Sequence, residues 1–323
     1  MTPSVLSVRD LSVDFITPRG RVHALRRVNL EVPRGSVVGL VGESGSGKST
    51  LAAAAMRLLA GNAEILGGTV DLDGTDVLHL PEAALAALRG AKVSMVFQDP
   101  MNALNPVLTI GRQMTDIQHR ERALAPADKR RRAAEMLRRV GIADAIQRLD
   151  AYPHEFSGGM RQRIAIAMAL LCNPALLIAD EPTTALDVTL EAQIVHLLRE
   201  LKREFQGSIL FVSHNLGLVA ELCDHVVILY AGTVVESGTV FDIFHHPRHP
   251  YTEALLQCDP ARIARTRIEL PTIPGDVPDL LRAPEGCVFA PRCPKALAGC
   301  ATTPPTSTAL TPTHSAACHL VLA

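Results

Sequence analysis

The sequence predicts an α/β protein, built on a parallel sheet covered on both faces, with a small Pro- and Cys-rich C-terminal extension. Three observations lead there. Short apolar segments alternate with Ala- and Leu-rich helical ones along residues 5–240, the pattern of strands buried between layers of helices. A Gly-rich loop joins one such strand to one such helix. From about residue 246 the periodicity fades, and residues 247–323 hold more than half of the 22 prolines. A boundary near 245 therefore divides 1–245 from 246–323.

The elements follow in order. Residues 5–41 read as strands with turns, ending in the apolar run Ser36-Val37-Val38-Gly39-Leu40-Val41. Residues 48–60 read as a helix closed by Gly61-Asn62. Val93 to Phe97 is a short strand. Residues 100–156 are helical, with Pro126 as a helix start. Ser157 to Leu171 is a helix, Ala175 to Ala179 a buried strand, and Leu190 to Phe205 an amphipathic helix. Ser208 to Val212 and Val226 to Leu229 are further strands.

Length and charge set bounds. The chain has 323 residues, enough for two domains or one with an appendage, and a net charge of −1. That balance argues against a broad nucleic-acid surface. The basic run Lys129-Arg130-Arg131-Arg132 with Arg138-Arg139 reads as a solvated helix face. The longest apolar run, Ile164 to Ala179, is 16 residues and contains Asn173 and Pro174. A membrane span needs about 20. No secretory signal pattern opens the chain, so a cytosolic setting is expected, where cysteines are seldom in disulfides.

Gly42-Glu43-Ser44-Gly45-Ser46-Gly47-Lys48-Ser49-Thr50 fits G-x-x-x-x-G-K-[ST]. Its place between a buried strand and a helix is the context in which this motif cradles phosphate. Glycines let N–H groups turn inward, and the helix N-terminus adds its positive end. Lys48 would neutralise phosphate charge, Ser49 would hold Mg²⁺, and Ser44, Gly45, Gly47 and Thr50 would line the phosphates. Leu176 to Ala179 runs into Asp180-Glu181. A strand end of this kind offers Asp180 to Mg²⁺ and Glu181 to an attacking water.

Between and after these motifs come Phe156-Ser157-Gly158-Gly159-Met160-Arg161-Gln162-Arg163, Thr184-Ala185-Leu186-Asp187 and Val212-Ser213-His214, with Gln98 following the strand at 93–97. This order resembles the ATP-binding subunit of ABC transporters over roughly residues 5–240. The resemblance implies an ABC ATPase cassette: a RecA-like phosphate-loop core, an antiparallel β subdomain and a helical subdomain at about 100–160. It also implies an ATP hydrolase in which two subunits close over two ATP molecules. Each ATP would lie between one phosphate loop and the partner's signature, Ser157, Gly158, Gly159 and Met160. Many members have Gln where Met160 stands; Met is familiar there among peptide importers. Gln98 would sense Mg²⁺ and the attacking water, His214 would contact the γ-phosphate, Asp187 would cross the dimer interface, and Phe15 would stack on adenine.

Narrower features resemble the di- and oligopeptide (and nickel) importers: Gln98-Asp99-Pro100-Met101-Asn102-Ala103-Leu104-Asn105-Pro106, Tyr152-Pro153-His154-Glu155, His249-Pro250-Tyr251-Thr252 and the cysteine tail. These imply peptide import, with nickel or other small solutes as the alternative and a soluble ATPase acting on ribosomes or DNA as a distant rival. The implied partners are a second, related ATPase subunit forming a heterodimer, two membrane permeases, and indirectly a solute-binding protein. No nucleic acid is implied. The implied location is the cytoplasmic face of the inner membrane, with Met101, Leu104 and Val107 as candidate permease contacts.

Cys287, Cys293, Cys300 and Cys318 are spaced C-x5-C-x6-C-x17-C. The close C-x2-C pairs of many zinc and ferredoxin sites are missing. Spacing alone leaves Zn²⁺, an iron–sulfur cluster and unlinked thiols open, with His314 and His319 as alternative ligands. The resemblance implies a [4Fe–4S] cluster on the four cysteines, with a structural role.

Overall fold

A computed structural model describes residues 3–99, 103–184, 187–259 and 271–321. Its Cα positions fall into two compact units, Met1–His79 with Phe211–Ala323, and Leu80–Leu210.

The first unit opens with a long antiparallel hairpin, β1 (Ser4–Thr17) and β2 (Gly20–Pro33). Val5, Leu6, Val8, Leu11 and Val13 of β1 point into the core and are buried. β3 (Val37–Val41) is apolar and buried at every position, as a strand covered on both faces must be. Its first N–H, from Val37, donates to the Asp224 carboxylate at 2.7 Å. A Gly-rich loop leads into α1 (Lys48–Ala55). β4 (Ala63–Leu72) returns antiparallel to β1 and β5 (Thr75–Asp76) pairs with β4, giving the order β2-β1-β4-β5.

α1 is shorter than the expected 48–60 helix. Arg57 adopts φ 50°. The Arg57 N–H donates to the Ala54 carbonyl at 2.9 Å and the Leu58 N–H to the Ala53 carbonyl at 2.8 Å. This is a Schellman closure with Arg in the position that glycine usually takes. The Arg57 guanidinium also reaches the Val77 and Leu78 carbonyls, at 3.4 Å each. Gly61-Asn62, read as the stop signal, lies beyond the real end.

The second unit contains α2 (Glu82–Leu88), β6 (Val93–Val96), α3 (Ile110–Asp116), α4 (Pro126–Arg139), α5 (Ala145–Arg148), α6 (Gly158–Leu170), β7 (Leu176–Asp180) and α7 (Val188–Glu204). β6 and β7 run parallel. Pro126 opens α4 as expected. Ala133, Ala134 and Leu137 form its buried face. Its basic residues meet acids: Arg130 with Asp150, Arg131 with Asp128, Arg132 with Glu121, and Arg139 with Glu204. The basic run is thus a charge-balanced face.

β8 (Ser208–Ser213) carries the chain back to the first unit. There α8 (Leu216–Leu222), β9 (His225–Tyr230), β10 (Thr233–Thr239), α9 (Val240–His245), α10 (Pro250–Gln257), β11 (Thr308–Ala309) and β12 (Ser315–Ala316) follow. Within this unit the strand order is β11-β12-β10-β9-β3. β9 is parallel to β3, whereas β10, β12 and β11 are antiparallel to their neighbours. The sheet is therefore mixed rather than wholly parallel. The reversal occurs at Ala231 and Gly232, both at positive φ (45° and 76°), the two-residue turn that matches the twist of a hairpin. Among the described residues, no helix is long and apolar enough to cross a membrane.

The extension is tied to this sheet. β12 pairs with β10 at Glu236↔Ala316 and Ser237↔Ser315. Glu236 is 1% exposed. Its carboxylate meets His314 Nε2 at 2.8 Å and accepts the backbone N–H groups of Arg248 at 2.7 Å and His249 at 3.0 Å. Glu236→Ala would leave these donors without an acceptor. Each such loss costs about 1–3 kcal/mol. The variant should lose about 3 kcal/mol or more in urea unfolding, and its extension should be cut first in limited proteolysis.

Candidate active site

The phosphate-loop motif of the first unit owes its path to missing side chains. A Cβ on Gly42 would stand 2.1 Å from the Leu229 carbonyl oxygen, and one on Gly47 would stand 2.8 Å from that of Ala24. Gly45 and Gly47 also sit at φ 78° and 104°. The loop is braced where the Ser46 N–H donates to the Glu43 carbonyl (3.2 Å) and the Gly232 N–H to the Ser46 carbonyl (2.9 Å). Lys48 is 5% exposed. Its Nζ folds back to donate to the carbonyls of Gly42 (2.9 Å) and Glu43 (3.1 Å). A cation lying across a loop at a helix N-terminus makes an anion site. No side-chain hydrogen bond from the N-cap closes α1, and no acid occupies its first turn. Ser44, Gly45 and Ser49 are exposed and Thr50 is half-buried. Phe15 lies half-buried on β1, opposite Val22 and Ala63. His214 is exposed just after β8, before Asn215, which caps α8.

In the second unit, register sets the chemistry. β6 and β7 pair in parallel with Val96 level with Ala179. Gln98 and Glu181, two residues beyond each, therefore emerge side by side. Gln98 Nε2 donates to Glu181 Oε2 at 3.2 Å, and Thr184 Oγ1 donates to the same oxygen at 2.8 Å. Asp180, the last residue of β7, is 5% exposed. Glu181 adopts φ 44°, a left-handed conformation that costs a non-glycine residue roughly 1–2 kcal/mol. Thr184 stood in a quoted motif but carried no role in the sequence reading; its spacing to Glu181 is the signal that could have found it.

Ser157 caps α6, its Oγ accepting the Met160 N–H at 3.3 Å. Its hydroxyl proton remains free to be donated elsewhere. A Cβ on Gly158 would meet nothing, whereas one on Gly159 would press on Leu190 of α7 at 3.1 Å. Met160 is half-buried. Asp187 caps α7 through the Leu190 N–H at 2.9 Å and is exposed. Of the apolar residues expected to dock a partner, Val107 is 75% exposed but Leu104 is only 3% exposed and belongs to the core. Met101 lies outside the described residues. Phe97, not singled out in the sequence, is 48% exposed.

The four tail cysteines line one cavity, with Phe289 and His249 among its walls. Cys287, Cys300 and Cys318 are buried and Cys293 is half-buried. Burial pushes the thiols of Cys287, Cys293 and Cys318 up, and the nearby Cys300 pushes each the same way. Among the described residues, no three His, Cys, Asp or Glu side chains converge on the position of a single metal ion. The alternative imidazole ligands are engaged: His314 with Glu236, and His319 with the Thr303 carbonyl at 2.9 Å. His249 is 1% exposed, and burial pushes its imidazole down to about 4. Its Nδ1 accepts the Tyr251 N–H at 3.1 Å. Nε2 therefore carries the proton, and it is buried without a partner. Four thiols, apolar walls and an unpaired N–H donor fit an iron–sulfur cluster, whose sulfur atoms accept such donors.

Residues 25–184 match the family described as "ABC transporter", and residues 235–300 match "Oligopeptide/dipeptide transporter, C-terminal region". The chain is 50% identical over 301 residues to the oligopeptide transport ATP-binding protein OppD of Salmonella typhimurium, covering 93% of this chain and 89% of the relative. It is 49% identical over 302 residues to OppD of Escherichia coli, covering 94% of this chain and 89% of that protein. Among solved structures, the dimeric, post-hydrolysis ATP-binding cassette MJ0796, bound to ADP and Pi, superposes with TM-score 0.65 at 28% identity. That match covers 73% of this chain and 98% of the other.

Because Gly47 combines positive φ with a tight contact, Gly47→Ala should lower the unfolding free energy by about 2 kcal/mol or more. The variant should also lose nucleotide binding in an equilibrium titration.

Proposed function

The chain belongs to the ABC transporter ATPase family, and from that premise we propose that it is the ATP-hydrolysing subunit powering import of short peptides. The observation that carries the catalytic part is the Glu181 carboxylate, held by Gln98 and Thr184 immediately beyond the buried Asp180.

The proposed site has two halves. Gly42, Ser44, Gly45, Gly47 and Thr50 wrap the ATP phosphates with backbone N–H groups, and Lys48 exchanges its two carbonyl partners for phosphate oxygens. Phe15 stacks on the adenine. Ser49, Gln98 and Asp180 hold Mg²⁺, which when bound neutralises phosphate charge. Glu181 orients and deprotonates the attacking water, and the Gln98 and Thr184 donors fix its carboxylate through Oε2. His214 holds the γ-phosphate. The second half comes from the partner ATPase: Ser157, Gly158, Gly159 and Met160 of one subunit face the ATP of the other, with the helix N-terminus turned to the γ-phosphate. Asp187 lies at that junction. The dimeric arrangement of the cassette MJ0796 supports this reading.

We assign residues 1–245 to the nucleotide-binding domain, with a helical subdomain at about 100–160, and 246–323 to a peptide-importer-type extension. The match of residues 235–300 supports the cargo class. The partners are a related second ATPase in a heterodimer and two membrane permeases, which hold the subunit peripherally at the cytoplasmic face of the inner membrane. A solute-binding protein delivers the peptide. Exposed Val107 and Phe97 are the proposed permease contacts. The four cysteines hold a [4Fe–4S] cluster, which when bound supplies four iron–thiolate cross-links to a Pro-rich segment too small for a large core.

Two experiments test this. Glu181→Gln should keep MgATP binding within about threefold and lower steady-state hydrolysis about a hundredfold; near-wild-type turnover would remove Glu181 from its role. Anaerobically purified protein should carry iron and sulfide near four per chain, with visible absorption, and Cys293→Ser should lose both. Zinc in their place would leave the ATPase reading standing and make the tail a plain structural clip.

A further inference from the structure

The acid at Glu43 is a puzzle that the ATPase reading does not absorb. It stands inside a loop built to bind anions, where a carboxylate should repel phosphate. The structure supplies a counter-charge from far along the chain. Arg292, from the extension, makes a two-pronged contact with it, Nη1 to Oε2 at 2.7 Å and Nη2 to Oε1 at 3.1 Å. The Arg292 side chain is only 4% exposed. Its remaining N–H groups are used as well. Nε donates to the Pro274 carbonyl (3.1 Å), Nη2 to that of Ile273 (3.0 Å), and Nη1 to Tyr230 Oη (3.2 Å). The carboxylate holds this guanidinium charged. A second residue of the extension grips the same position: the Glu43 N–H donates to Tyr251 Oη at 2.9 Å. Tyr251 is fully buried and packs between Tyr230 and Phe289, with ring centroids 4.5 and 5.3 Å away. Arg292 directly precedes Cys293, and Tyr251 follows His249 by two residues, so both stand beside the cysteine cavity.

We propose that Arg292 and Tyr251 are positioning residues for ATP binding: one neutralises the Glu43 side chain, the other fixes its backbone, and nucleotide affinity thereby depends on the folded extension. The inference rests on the ATPase reading and not on which metal the cysteines hold. Without Arg292, an uncompensated negative charge would remain within the loop that must receive the phosphates. Binding coupling is reciprocal, so nucleotide also stabilises the docked extension.

The test is an equilibrium titration of the full chain with a fluorescent ATP analogue and Mg²⁺. Arg292→Gln should weaken affinity about tenfold, the size of coupling seen between directly contacting groups. The double variant Arg292→Gln with Glu43→Gln should recover to within about threefold of wild type, because the repelling charge is gone. A merely structural role for Arg292 predicts no recovery. Tyr251→Phe keeps the stacked ring and removes only the oxygen that accepts the Glu43 N–H. It should weaken affinity about threefold in protein whose circular dichroism spectrum matches that of the wild type, and it decides the matter if Arg292→Gln does not fold. Wild-type affinity in folded Arg292→Gln or in Tyr251→Phe, or a double variant as weak as Arg292→Gln, overturns the proposal alone. Wild-type protein that binds no nucleotide overturns it together with the ATPase reading.

Discussion

Six residues between β3 and α1 form the loop proposed to turn backbone N–H groups toward an anion, and strands of the first unit fix its path. The loop cannot carry a Cβ at Gly42 or Gly47, because the Leu229 and Ala24 carbonyls already fill the space. Those carbonyls belong to β9 and β2, so the loop's shape is fixed by strands about 190 residues later and about 20 earlier in the chain. β3 itself is pinned by Asp224 at one end. It admits α8 closely at Gly39, where a Cβ would stand 2.9 Å from Val219 Cγ1. Burying such a strand contributes roughly 1.5–3 kcal/mol for each Val or Leu. This stable strand carries a loop whose own interactions are mostly single hydrogen bonds.

The second unit sets a different constraint. A carboxylate proposed to activate water must be accessible and oriented, yet strand ends tend to be frayed. Here the parallel pairing of β6 and β7 carries Gln98 and Glu181 to the same level, and hydrogen bonds from Gln98 and Thr184 lock one oxygen. The left-handed backbone at Glu181 is a strained feature held by its surroundings, as is common where geometry serves chemistry.

The extension holds too few apolar side chains to fold around a core of its own, and the structure shows what compensates. Glu236 gathers donors from Arg248, His249 and His314, β12 adds to the sheet edge, and Arg292 reaches the phosphate loop. Arg26 donates to the Pro284 carbonyl at 3.1 Å and the His23 N–H to that of Leu280 at 3.0 Å, fastening the tail along β2. A buried charge network of this kind is costly to desolvate, and it discriminates strongly against misplacement because every member loses a partner at once.

Local chemistry was legible in the sequence. The phosphate loop, Asp180-Glu181, the Ser157 cap of α6 and the Pro126 start of α4 each follow from residue types at fixed spacing, since glycine, proline and capping side chains act on backbone within a turn of themselves. Arg57 escaped because a non-glycine left-handed closure depends on carbonyls at Val77 and Leu78, which no local pattern announces. Leu104 looked like a surface residue because a short apolar stretch reads alike on either side of a helix. The mixed sheet, the Gln98–Glu181 contact and the Arg292 clamp on Glu43 were decided by tertiary structure alone. Their partners lie up to 249 positions apart, and sequence spacing carries no information about which distant groups folding will bring within 3 Å.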